Sequence, residues 1–236
     1  MTPSGSHSPA GEPRSIPFWG YEDLALLVGA VLPCLAISSG LMRLFRFPNE
    51  GVKAVAFECV FYVLQLGAMY LLIGFRYRQP FWRSLGWTFS FRWAWAPVIA
   101  GPILAISLAA LGGLLRAPPE PVIQDLMTDR LSMAAVMFLG ALIGPVFEEL
   151  TFRGFLLPLL ADSLGEWPGI LLTATPFALL HGAQYHWSWQ SILVVGLAGV
   201  AFGYTRSKTG STVAAALVHI GYNATLFAGF LLQRSL

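Results

Sequence analysis

The stretch LSMAAVMFLGALIGPVFEELTFRGF, Leu131 to Phe155, decides how this chain is read. From Leu131 to Phe147 it carries no charge, and then Glu148, Glu149 and Arg153 arrive within six residues. A run that long and that apolar reads as a membrane-spanning helix. Each ionised group at the centre of such a helix costs roughly 2.5–3.5 kcal/mol on insertion scales. Three so close together need partners. Glu149 and Arg153 supply one pair between themselves, four residues apart on one helix face with the acid first, the favourable order. Glu148 points about 100° away around the helix, so its partner must come from another element.

The rest of the chain fits a bilayer. Of 236 residues, 56% are hydrophobic and 11% charged, against about 25% charged in soluble domains. The net charge of +2 gives no footprint for nucleic acid. Cys34 and Cys59 lack the spacing of a thiolate metal site or a disulfide framework. Residues 1–19 open with a tract rich in Pro, Ser and Gly, which reads as a disordered tail rather than a signal peptide.

Seven apolar runs follow, at about 21–42, 54–75, 94–115, 131–147, 168–181, 190–205 and 211–232. The fourth continues through the acids to about residue 163, and becomes two spans, eight in all, if the chain divides at Pro145. Backbone in lipid must satisfy its own hydrogen bonds, so every run is expected to be helical. The expected fold is an all-α polytopic membrane bundle. An N-terminal pair and connector occupy 20–93, and a core occupies 94–236. The connector at 76–93 holds Arg76, Arg78, Arg83 and Arg92 with Trp82, Trp87 and Trp93, a composition suited to the cytoplasmic membrane surface. Gly196, Gly199 and Gly203 form a small-residue packing face on the sixth run.

Few side chains are available to meet Glu148. His181 ends the fifth run in FALLH, and His219 and Asn223 lie one turn apart in the seventh, in HIGYN. Counting about 1.5 Å per residue down one helix and back along the next brings His181 to the level of Glu148. Pro176 is expected to kink the fifth run, and Pro145 to open a helix start near Glu148, where a carboxylate is favoured. Glu148 and His181 sharing a water make a general base. His219 and Asn223 are suitable donors for an oxyanion. Together they meet the needs of peptide hydrolysis.

Taken singly, His181 and Asn223 read as interhelical hydrogen bonds. Glu149 and Arg153 read as a structural ion pair, Phe177 as packing, and His186 as an interfacial residue. Zinc is a minority alternative with Glu148, His181 and His219 as ligands, although no HExxH is present. Glu58, one turn before Tyr62 in the second run, offers thin support for an ion-coupled transporter.

In this light EELTFRG, FALLH and HIGYN resemble the EExxxR, FxxxH and HxxxN motifs of the CPBP (CAAX protease, or Abi) family of intramembrane endopeptidases. The resemblance covers about residues 95–232. It implies that Glu148 and His181 activate a water, that His219 and Asn223 stabilise the oxyanion, and that Glu149 and Arg153 hold the site in shape. It implies no cofactor, a peptide or lipidated-protein substrate of CAAX or other membrane-associated type, and residence in the lipid bilayer, in a bacterial inner membrane. A non-catalytic member acting as a scaffold or bacteriocin-immunity protein is the further alternative.

Overall fold

The computed structural model describes residues 17–89, 95–118 and 125–235. Ten helices lie within them: α1 (Tyr21–Met42), α2 (Glu50–Leu71), α3 (Phe81–Ser84), α4 (Trp95–Leu114), α5 (Arg130–Phe138), α6 (Gly144–Glu149), α7 (Leu157–Leu164), α8 (Glu166–Leu180), α9 (Trp189–Thr209) and α10 (Thr212–Ser235). No strand occurs among the described residues.

Polar side chains start and stop these helices. Asn49 caps α2 by accepting from the Val52 amide at 2.8 Å. Asp129 caps α5 by accepting from the Ser132 amide at 2.9 Å, which holds its carboxyl below the usual range. Gly210, at φ +66°, ends α9 in the left-handed conformation that glycine tolerates best.

Five helices are long and apolar enough to cross a membrane: Tyr21–Met42, Glu50–Arg76, Trp95–Leu114, Arg130–Leu164 and Thr212–Arg234. Their outward faces are apolar. Leu32 is 74% exposed and Leu114 82%, while Asp23, Ser38 and Gln65 are buried. A chain that turns leucine outward and buries its polar groups is built for lipid, not water. The protein is a multi-pass membrane protein.

The expected runs at 168–181 and 190–205 are also helices, α8 and α9. However, α8 has 15 residues and is only about 22 Å long at 1.5 Å per residue, short of a bilayer core of about 30 Å. His181 follows its last residue directly.

The segment carrying the acids is one continuous helix, Arg130–Leu164. It does not divide at Pro145, so this helix contributes one span, and Glu148 stands inside it rather than at a helix start. The reason lies in two stretches of π-helix, Leu139–Ile143 and Leu150–Leu156, which flank α6. Pro145 has no amide to donate. The π stretch accommodates this by wider bonds such as that from the Gly144 amide to the Leu139 carbonyl. The same insertions rotate the helix on either side of the two glutamates, and π-turns of this kind gather at functional sites.

Two apolar clusters flank this helix. One joins Trp19, Ile73, Leu85 and Phe155; the other joins Phe152, Phe177, Phe202 and Tyr222. Trp19 is buried, stacks on Phe155 with centroids 5.1 Å apart and donates its indole N–H to the Phe155 carbonyl at 3.1 Å. Trp19, the last residue of the tail expected over 1–19, is thus packed into the bundle, and residues 1–16 lie outside the described residues. The connector folds back under the bundle: Ser211 and Thr212 donate their hydroxyls to the Thr88 and Leu85 carbonyls. Its Arg92 and Trp93 lie outside the described residues.

Candidate active site

Glu149 and Arg153 are both fully buried. Arg153 Nη1 donates to Glu149 Oε1 at 2.9 Å, and Nη2 donates to the Gly199 carbonyl at 2.7 Å. The guanidinium carbon sits 4.5 Å from the Phe177 ring centroid and 5.3 Å from that of Phe202. A carboxylate, a backbone carbonyl and two aromatic faces thus compensate one buried cation. This needs α9 very close to the acid-bearing helix, which Gly199 permits. A Cβ there would stand 3.1 Å from Phe177, 3.2 Å from Ala174 and 3.3 Å from Arg153. The glycine stripe is the packing face its spacing suggested.

Glu149 Oε1 takes a second hydrogen bond, from His219 Nδ1 at 2.9 Å. A carboxylate only accepts, so Nδ1 carries the hydrogen. The His219 ring stacks on Phe202, 4.3 Å between centroids and 20° between planes. Its other nitrogen, Nε2, faces Glu148 Oε2 at 3.7 Å, beyond a good hydrogen bond but close enough to shift with a bound water or substrate. One imidazole thus stands between the two glutamates.

Glu148 itself is only partly buried, with its side chain 20% exposed. His181 Nδ1 donates to the Phe177 carbonyl at 2.7 Å. That fixes the tautomer whose Nε2 accepts. Phe177 does more than pack: its ring lies 4.8 Å from His181, 5.8 Å from His219 and under the Arg153 guanidinium. Asn223 Nδ2 donates to the Gly140 carbonyl at 2.7 Å, a carbonyl in the first π stretch. The donors expected at the oxyanion are therefore already engaged, His219 Nδ1 by Glu149 and one Asn223 N–H by Gly140. The second N–H of the amide is the donor left over.

Sequence reasoning did not find the Gly199 and Gly140 carbonyls or Phe202, because backbone acceptors carry no side-chain signal. Phe202 stands three residues after Gly199; the stripe that reveals the close approach was the one available hint. His186, at φ +51°, lies in the turn after α8. As for metal, no three of the described His, Cys, Asp and Glu side chains are grouped to hold an ion.

A buried and a partly buried carboxylate, an arginine, two histidines and an amide thus stand on neighbouring helices of one membrane bundle. Residues 130–225 match the family described as Rce1-like, type II CAAX prenyl endopeptidase. The match takes in Glu148, Glu149, Arg153, Phe177, His181, His219 and Asn223. No curated protein and no solved structure matches the chain.

Proposed function

We propose that this protein hydrolyses a peptide bond of a membrane-associated substrate, using Glu148 and His181 to activate a water. The observation that carries the reading is the position of Glu148. It is unpaired within its own helix, partly accessible, and turned toward His219 across the bundle interior. In the reaction, Glu148 accepts a proton from the water while its oxygen adds to the scissile carbonyl carbon. His181, oriented by the Phe177 carbonyl, polarises the same water. The remaining Asn223 N–H receives the oxyanion, joined by His219 only with a hydrogen on Nε2, its Nδ1–H staying on Glu149. The tetrahedral intermediate collapses with cleavage of the C–N bond, and Glu148 returns its proton to the leaving amine. Glu149 and Arg153 hold His219 and the helix in register.

The family match over residues 130–225 favours a lipidated C-terminal CAAX peptide as substrate. The lipid chain would lie among the exposed apolar side chains, and the peptide would enter above the short α8. In this mechanism the residues act without a metal. The test is cleavage of a prenylated CAAX peptide by purified protein in liposomes. Wild type should cleave it, with and without chelator, and Glu148→Gln should lose about 10²–10⁴-fold in rate while keeping its helical content. Equal rates in the two proteins would defeat the reading. Loss of wild-type activity to chelator, restored by zinc, would replace the metal-free mechanism.

A further inference from the structure

Glu148 has a second oxygen, Oε1, that neither Glu149, Arg153 nor His219 contacts. It faces Gly144, one turn earlier. A Cβ placed on Gly144 would stand 3.6 Å from Glu148 Oε1, 3.7 Å from the Tyr62 hydroxyl and 3.2 Å from the Leu139 carbonyl oxygen. Three oxygens from two separate helices thus converge on one methyl-sized notch beside the carboxylate. Each is there for a local reason. The Leu139 carbonyl lies at the start of the π stretch and accepts one bond, from the Gly144 amide; a carbonyl has a second lone pair to offer. Tyr62 is held by stacking on Phe147, the residue before Glu148, with centroids 4.0 Å apart and planes 14° apart. Glu58 lies one turn earlier on the same helix.

We propose that Tyr62 belongs to the catalytic site: its hydroxyl, with the Leu139 carbonyl, seats the water on which Glu148 acts, in the notch that Gly144 leaves open. Buried waters make about three hydrogen bonds, and this notch offers an acceptor carboxylate, an acceptor carbonyl and a hydroxyl that both donates and accepts. A water held there presents one hydrogen to Glu148 Oε1, the hydrogen that general-base catalysis removes. The same geometry explains why glycine stands at 144, inside a helix where glycine is otherwise unfavourable. A methyl group there would crowd out a water held between the three oxygens.

The inference rests on the protease reading, and its test uses the same liposome assay with Glu148→Gln as the benchmark. Tyr62→Phe removes one oxygen and should lower kcat about tenfold with KM little changed. Gly144→Ala should lower kcat by about 100-fold or more. Its melting temperature should stay at or near the wild-type value, since alanine is the better helix former. Wild-type kcat in both Tyr62→Phe and Gly144→Ala, with Glu148→Gln inactive, overturns this proposal and leaves the protease reading standing. A rise in KM at constant kcat would make Tyr62 a substrate contact and also overturns it. A wild-type protein that cleaves nothing defeats both.

Discussion

At the scale of single residues the site is an account of buried charge. Arg153 is compensated by Glu149, the Gly199 carbonyl and two aromatic faces, so removing it leaves Glu149 buried with only His219. Breaking a buried pair from one side costs about 3–5 kcal/mol. Arg153→Ala should therefore lower the melting temperature in detergent as well as activity, whereas Glu148→Gln should lower activity alone. A differential scan of the two variants checks this contrast. The Glu149–Arg153 spacing was legible in the sequence, because i and i+4 contacts are local. The hydrogen bonds of His219 Nδ1 and Asn223 were not, because they depend on where α10 docks. An imidazole that reads as an oxyanion donor in sequence proves to be held first by Glu149.

At the scale of elements, most helices could be placed from hydropathy alone. The run at 21–42 is α1, and the run at 211–232 is α10 with small changes at its ends. Hydropathy reports apolar length, not backbone register. It therefore missed the two π stretches around the acids, while the run at 168–181 matches α8 closely. Helix packing supplies a further expectation. A Cβ on Gly101 in α4 would lie 2.5 Å from the Val218 carbonyl and 2.8 Å from the Gly221 Cα of α10, close to His219. Gly101→Ala must push the two helices apart, at a cost of about 1–3 kcal/mol. Gly113→Ala, where nothing lies within 4 Å, should be neutral or slightly stabilising. Thermal denaturation of the pair separates packing from glycine content.

At the scale of the whole molecule, one polar latch ties the α7–α8 turn to the end of α9. Glu166 accepts from Lys208 at 2.8 Å and from Ser207 at 2.6 Å. The lysine and then the serine hold the Glu166 carboxyl below its usual range, and Glu166 in turn holds the Lys208 ammonium above its own. A depressed carboxylate contributes stability above its unfolded value, and loses it as pH falls through the lower folded value. A raised lysine contributes below its unfolded value, and loses it as pH rises through the higher folded one. The latch is thus complete at neutral pH and released at both extremes. The melting-temperature gap between wild type and Glu166→Gln should narrow as pH is taken from about 7 toward 3, and also in high salt, because the pair is exposed. The connector and Trp19, which close the same end of the bundle, were invisible to sequence patterning, since their contacts span more than a hundred residues.

The central claim is that one glutamate, Glu148, performs peptide hydrolysis inside the bilayer. The most direct measurement is a quantitative comparison of protein C-termini in membranes carrying either wild-type protein or Glu148→Gln at equal abundance. A defined set of termini should be trimmed in the first and intact in the second. Identical termini in both would contradict the account.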